Sequence, residues 1–425
     1  MLSNTGQLRQ RIVFTLLILI AYRFGTFVPI PGINSEVLNE FFSSSASNIF
    51  GMINLFSGGA LERMSVFALN IMPYITASII MQLMTSMYKG LEDLKKGGEQ
   101  GRAKLNQYTR YFTIILAFFQ SIGVYYALSS SGNSAFISDS KILMLTTCTS
   151  LVGGTVILMW FGERITASGI GNGISLIIFV GIVSSLPGSI TQLFELSRSG
   201  VYSWFVVLLI LIAFIALLGF ICFFEKTSRQ IKIQYPNAKM MRAAGSADHS
   251  YLPLKINIAG VIPPIFASSI LMFPTAIFEI VQIENDFIAS MLRRGGAIYL
   301  TLFASFIMFF CYFYTSIVFN TKEVASNLKK SNCFMIGVRP GDATERYLDT
   351  VISRLTFLGS LYLITICIIP EIFIVKYGIP IYIGGTGALI IVNVILDLIG
   401  QVQSHLYSQK FGNNSAKRKR IRVRA

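Results

Sequence analysis

The stretch VYSWFVVLLILIAFIALLGFICFF, residues 201–224, contains no charged side chain. A helix of about 20 apolar residues crosses the hydrocarbon core of a bilayer, so this run predicts a membrane-spanning helix. The whole chain of 425 residues has the same character, because 53% of it is hydrophobic and only 13% is charged. Soluble globular proteins carry about 25% charged residues. The composition therefore excludes a soluble multidomain protein.

Apolar runs of similar length recur along the chain. The fifth run is interrupted by glycines, which membrane helices tolerate where neighbouring helices pack closely. We predict an all-α membrane protein with ten transmembrane helices. The runs are residues 12–30, 66–88, 111–128, 142–161, 170–190, 201–224, 256–278, 297–319, 351–369 and 381–402.

The basic residues divide unevenly between the two sides of a ten-span chain. Of 35 Lys and Arg residues, 28 fall on the side of both termini, six on the opposite side and one, Arg23, within the first span. This asymmetry predicts cytoplasmic termini. No cleavable signal peptide is expected, because the first apolar run lacks a small-residue cleavage site.

A cut near residue 195 leaves five spans in each half. Two such halves with the same fold insert with opposite orientation, and this arrangement often places a pathway at their interface. The N-terminal half covers residues 1–190 and the C-terminal half residues 201–408, followed by a basic tail at 409–425. Large basic cytoplasmic loops are expected at 225–255 and 320–350.

Residues for catalysis are scarce. The two histidines, His249 and His405, are far apart, and the sequence has no HExxH, GxSxG or Walker motif. The glycine cluster at residues 169–173 lacks the Lys-Ser/Thr of a phosphate loop. Five widely spaced cysteines suggest neither a disulfide framework nor a zinc site. We expect no enzymatic activity, cofactor or metal.

An ion-coupled secondary transporter of a small solute is the main alternative function. Such carriers usually place ionisable residues at mid-membrane depth as a relay or counter-ion. Here the candidates are Arg23, Asp397 and Glu163, near a helix end. Snorkelling or interfacial positions explain them better than a proton relay.

Two spans carry polar side chains beside proline. The second holds Asn70, Thr76 and Gln82 around Pro73, and the seventh holds Asn257, Ser268 and Ser269 around Pro263 and Pro264. Such groups favour neighbouring helices or water over lipid, and proline bends a helix. Either ordinary helix packing or a seam that can open explains the pattern.

Several motifs carry a resemblance to a known family. The run NLFSGGALER at residues 54–63, followed by FALNIMPYI at 67–75, resembles the plug and second helix of the SecY family. Further motifs occur in the family's order and spacing along the chain. They are PIPG at 29–32, GIGNGIS at 169–175, LPLKIN at 252–257, GVIPPIFASS at 260–269, RPG at 339–341 and GGT at 384–386.

The resemblance implies two pseudo-symmetric five-helix halves, hinged at residues 191–200, around a central hourglass pore with a short re-entrant plug at 51–61. It also assigns residues to each part. The pore ring is Ile71, Ile75, Ile174, Ile178, Ile265 and Ile390. The plug contains Asn54, Phe56, Ser57, Gly58 and Gly59. The lateral gate has Thr76, Gln82, Asn257 and Ser269, and the docking surface has Arg339, Arg242 and Lys255.

The function implied by the resemblance is a protein-conducting channel. It passes unfolded secretory proteins, recognised by their signal peptides, and releases hydrophobic segments sideways into lipid. The implied membrane partners are SecE and SecG, the drivers are the SecA ATPase or a translating ribosome, and SecDF and YidC are further candidates. The implied location is the bacterial inner membrane, with a plastid homologue as the alternative.

Overall fold

The computed structural model describes residues 3–33, 57–130, 141–234, 250–281, 296–331, 333–377 and 384–424, and most of these residues are helical. The N-terminal helices are α1 (Ser3–Gly25), α2 (Met72–Met87), α3 (Lys89–Lys96), α4 (Gly98–Ser130), α5 (Lys141–Ser168) and α6 (Gly173–Arg198). The later helices are α7 (Trp204–Lys226), α8 (Ile262–Val281), α9 (Ala297–Val318), α10 (Thr321–Lys330), α11 (Asp342–Tyr377) and α12 (Gly385–Arg424). The strands are β1 (Ser228–Gln234), β2 (Ser250–Lys255) and β3 (Phe334–Met335).

Each predicted span overlaps one of these helices, and the protein is a multi-pass membrane protein. Within the described ranges, six helices are long and apolar enough to cross a bilayer, namely α5, α6, α7, α9, α11 and α12. Only 11% of the most apolar window of α7 is buried inside the protein, so most of this helix is available to lipid. Because α2 has 16 residues, fewer than a bilayer usually requires, the count of ten crossings stays a prediction.

The second span starts later than predicted. The sequence places its start at residue 66, whereas α2 begins at Met72 with Pro73 in its first turn. Proline lacks the N–H that a helix interior needs, so it favours this position. The residues before it form irregular turns, in which the Ile30 and Val66 amides donate to the Met64 and Val28 carbonyls at 3.0 and 3.1 Å.

Each half of the chain has an apolar core of its own. One cluster joins α1, α5 and α6 and includes Ile390 of α12, and a second joins α7, α8, α9, α11 and α12 and includes Ile79 of α2. Thus α2 and α12 each contribute to the core of the other half. Most of residues 191–200, the predicted hinge, lies in α6, which continues to Arg198, and residues 199–203 lead to α7.

A small antiparallel sheet was not expected in an all-α fold. Its order is β2-β1-β3, with Ser228 opposite Lys255 and Ile233 opposite Met335. Ile231 and Ile233 are buried and alternate with exposed residues, as in a sheet with one covered face. Ile231 belongs to a cluster with Leu348 and Leu355 of α11, which begins nine residues before the predicted span. The described parts of the two large loops therefore fold together against α11.

Candidate functional site

A small apolar cavity lies where the two halves meet. Five of the six predicted ring residues line it, and they come from the start of α2, from α6, from α8 and from α12. They are Ile71, Ile75, Ile178, Ile265 and Ile390. The cavity has room for about one water molecule, so the isoleucines nearly close it.

The local sequence explains how α2 contributes two of these side chains. Ile71 is the residue before the helix begins, and Pro73 occupies the first turn. The Ile75 amide donates to the Ile71 carbonyl at 3.0 Å, which places the two isoleucines one turn apart. Both therefore line the same cavity.

The sixth predicted residue, Ile174, does not line the cavity. It lies one turn before Ile178 on α6, where its Cγ1 atom would be 3.0 Å from a Cβ atom built on Gly162 of α5. A Cβ atom on Gly173 would be 2.0 Å from the Gly162 carbonyl oxygen, so α5 and α6 approach closely at this point. The Ile174 side chain contributes to this helix contact.

Three further residues line the cavity although the predicted ring does not include them. They are Asn70, Met72 and Ser268. Asn70 is buried and has a φ of 51°, which asparagine tolerates better than most residues. The amphipathic pattern of a helix does not reveal such a turn. The polar residues around Pro73 and around Pro263 and Pro264 could have indicated these cavity residues. The sequence analysis related them to a seam between the two spans.

The described part of the predicted plug lies against α6. Ser57 is buried, and its Oγ atom accepts from the Leu61 amide at 3.3 Å. Gly58 has a φ of +67°, and a Cβ atom there would be 2.5 Å from the Ser184 Oγ atom. Gly59 also has a positive φ, +81°. Asn54 and Phe56 lie outside the described residues.

Arg23 contacts this segment rather than only extending toward the interface. Its Nη1 atom donates to the Gly58 carbonyl oxygen at 2.9 Å. Its guanidinium carbon lies 4.9 Å from the centroid of the Phe27 ring, and that of Arg63 lies 4.3 Å from the same centroid. Arg23 thus connects the end of α1 to Gly58, in the second half of the segment between α1 and α2.

The predicted gate residues on α2 and α8 form hydrogen bonds within their own helices. Thr76 donates to the Met72 carbonyl at 3.1 Å, and Ser269 donates to the Ile265 carbonyl at 2.8 Å. Gln82 donates to the Ser78 hydroxyl at 3.4 Å. The contact between α2 and α8 is apolar, because Ile79 of α2 belongs to the same cluster as Phe266, Ala267 and Leu271 of α8.

Asn257 differs from the other predicted gate residues. Its Nδ2 atom donates to Oε1 of Glu225, at the end of α7, at 2.7 Å, and to the Gly260 carbonyl at 3.1 Å. The Gly260 amide donates back to the Asn257 side chain at 3.0 Å. Glu225 is only 5% exposed and was missed by the sequence analysis, although a carboxylate ending an apolar run was a visible signal. Asn257 therefore joins the start of α8 to α7.

The predicted docking residues lie on or beside the sheet. Lys255 ends β2 and is exposed, and Arg339 is exposed in the turn between β3 and α11. Thr344 donates to the Arg339 carbonyl at 2.8 Å, which ties this turn to the first turn of α11. Arg242 lies outside the described residues.

The candidate relay residues do not come together. Arg110 donates twice to Glu163, with both N···O distances 2.7 Å, and Asp397 is exposed. Across the described residues, no group of three or more His, Cys, Asp and Glu is placed to hold a metal ion. The cavity is lined mainly by apolar side chains, and the candidate relay residues are not among those that line it.

Comparison with known proteins agrees with this geometry. The SecY family model matches residues 65–399. The protein translocase subunit SecY of Rickettsia felis is 48% identical over 415 residues, covering 96% of both chains. The protein of the same name from Escherichia coli K12 is 45% identical over 416 residues, covering 96% of this chain and 94% of the relative.

Solved structures show the same fold. A structure described as that of a protein conducting channel superposes with a TM-score of 0.70 at 17% identity, covering 95% of this chain and 93% of the other. Sec61 in the canine ribosome-channel complex from the endoplasmic reticulum has a TM-score of 0.65 at 17% identity, with the same coverage. With the family model spanning most of its length and close relatives matching nearly end to end, the chain belongs to the SecY family.

Proposed function

We propose that this chain is the central protein-conducting subunit of a Sec translocase. The single observation that carries the proposal is the cavity at which five isoleucines from both halves converge. Family membership supports the same conclusion. The channel passes unfolded secretory proteins across the membrane and acts by conduction, not by enzymatic catalysis.

The apolar ring acts as a seal at the narrowest point. Hydrophobic constrictions gate by dewetting, so they resist hydrated ions. Ile75 and Ile265 are partly exposed to the cavity, whereas Ile71 is fully buried. Aliphatic side chains form no specific bonds to a passing polypeptide, so the ring moves aside without selecting a sequence. Ile174 packs against α5 and does not line the cavity.

The plug at residues 51–61 closes the pore from the outer side. Its glycines permit the irregular backbone that Gly58 and Gly59 adopt. Irregular backbone at membrane depth requires surrounding protein or water, and the contact of Gly58 with α6 supplies protein.

The seam between α2 and α8 acts as the lateral gate. Because Thr76 and Ser269 bond within their own helices, parting the helices leaves those bonds intact. A passing segment of 20 apolar residues, at about −0.3 to −0.6 kcal/mol each, gains roughly 6 to 12 kcal/mol in lipid. Such a segment therefore leaves sideways by partitioning, with no need for the channel to recognise its sequence.

Partners supply the work of moving a polar chain. The sheet with Lys255, the Arg339 turn and the basic loop containing Arg242 form the docking surface for SecA or a ribosome. Two solved relatives with this fold are described as ribosome-bound channel complexes. SecE and SecG complete the membrane complex, and SecDF and YidC assist it. Both termini lie in the cytoplasm, and the membrane is the bacterial inner membrane.

Reconstitution tests the function. Vesicles containing this chain with SecE and SecG should take up an unfolded secretory precursor when SecA and ATP are supplied. Vesicles lacking this chain are the control for leak and for adsorption. Gradient-driven uptake of a small solute without precursor uptake would instead establish a secondary transporter.

A further inference from the structure

Arg23 is placed to hold the plug segment. It stands two residues before the end of α1, and its Nη1 atom reaches a residue 35 positions later, donating to the Gly58 carbonyl at 2.9 Å. The same Nη1 atom lies 3.4 Å from the Thr26 hydroxyl. The hydrogen bond joins α1 to a backbone atom of the plug segment. It therefore depends on the position of that segment and not on the identity of its side chains.

The backbone at Gly58 fits closely against α6 as well. A Cβ atom there would lie 2.5 Å from the Ser184 hydroxyl oxygen and 2.8 Å from the Gly181 carbonyl oxygen. With a φ of +67°, this position also disfavours side chains other than hydrogen. The contact with α6 and the hydrogen bond from α1 therefore fix the same residue.

The Phe27 ring helps to position the guanidinium. Cation–π contacts are effective within about 6 Å of a ring centroid, and Arg23 and Arg63 lie at 4.9 and 4.3 Å from this one. Arg63 has the same charge and contacts the same Phe27 ring. Substituting it therefore serves as a control for substitutions of Arg23.

We propose that Arg23 is a positioning residue that latches the plug in its closed position through the Gly58 carbonyl. This inference rests on the proposed role of residues 51–61 as the plug. A hydrogen bond from a charged donor is stronger than a neutral one, so losing it shifts the balance between closed and open plug by roughly 10- to 100-fold. The latch is reversible, because a single bond holds it.

The test measures resting ion conductance of the reconstituted complex in planar bilayers, without precursor. Arg23→Met keeps the stem and removes the donors, and we expect conductance to rise roughly tenfold or more. Arg23→Lys keeps the charge with a different reach and should give a smaller rise. Arg63→Met should change conductance by less than about twofold, since it leaves the Gly58 bond in place. Equal rises for Arg23→Met and Arg63→Met would overturn the latch.

A double-mutant cycle distinguishes the loss of the Arg23 hydrogen bond from displacement of the plug itself. Gly58→Ala should displace the plug by collision with α6, whereas Gly153→Ala, which meets nothing within 4 Å, should not. If both changes act at one contact, Arg23→Met adds little to Gly58→Ala. A rise for Gly58→Ala with none for Arg23→Met or Arg23→Lys refutes the latch alone. No rise for any of these variants refutes the plug itself.

Discussion

At the scale of single residues, the ring predicts how the resting channel leaks. Replacing Ile75 and Ile265 together with serine removes two cavity-lining side chains, each vacating space for about three water molecules. A wetted constriction conducts ions, so we expect resting conductance to rise roughly tenfold in planar-bilayer recordings. Ile174→Ser is the matched control, because Ile174 does not line the cavity. Equal leak from the control and the double variant would contradict the ring.

The ring residues were assigned by resemblance to a family and not by helical periodicity, and their role as a ring stays a prediction. That resemblance placed Ile71 and Ile75 in the ring, and both side chains line the cavity. Composition alone did not distinguish Ile174 from Ile178, because isoleucine serves equally well in helix packing and in a pore. Asn257 was placed at the seam for its polarity, whereas its partner, Glu225, comes from a distant part of the chain.

At the scale of elements, the Glu225–Asn257 pair predicts how firmly α7 holds the start of α8. Asn257→Ala removes the donor at 2.7 Å and leaves a carboxylate that is 5% exposed with fewer partners. We expect the free energy of unfolding to fall by about 2 kcal/mol, measured as a lower thermal unfolding midpoint in detergent. Adding Glu225→Gln should recover part of the loss, because no buried charge then remains.

The control for this pair is an exposed hydrogen bond of similar type. Gln107 donates to the Tyr111 hydroxyl at 3.0 Å on the surface of α4. Gln107→Ala should therefore lower the free energy of unfolding by less than about 0.5 kcal/mol. An unchanged midpoint for Asn257→Ala, or a midpoint equal to that of Gln107→Ala, would show that the pair does not fasten these elements.

Elements were predicted well where hydropathy alone defines them. Residues 201–224 coincide closely with α7, because an uninterrupted apolar run has few other ways to fold in lipid. The sheet escaped prediction because its strands are short and have few buried positions, namely Ile231 and Ile233 in β1 and Leu254 in β2. Ile231 packs against the part of α11 that precedes its predicted span, and that contact joins residues far apart in sequence.

At the scale of the whole molecule, the sheet that carries the proposed docking residues is continuous with helices of the C-terminal half. The sheet continues directly into α7 through β1, leads toward α8 after β2, and packs on α11. The formal net charge of +15 and the exposed position of Arg339 favour an anionic partner. If the proposed docking surface binds a partner, we expect the contact to reach helices of the C-terminal half, which include one side of the proposed seam.

Charge reversal at Arg339 tests this connection. Arg339→Glu places like charges at the interface, so we expect SecA-driven precursor uptake to fall roughly tenfold, with a smaller effect on ribosome-driven membrane insertion. Arg346→Glu, exposed on α11 with the same charge change, is the control and should lower uptake by less than about twofold. The docking contact should also weaken as salt rises, because exposed charges are screened. Uptake that falls equally for both variants would assign the effect to overall charge and remove Arg339 from the docking surface.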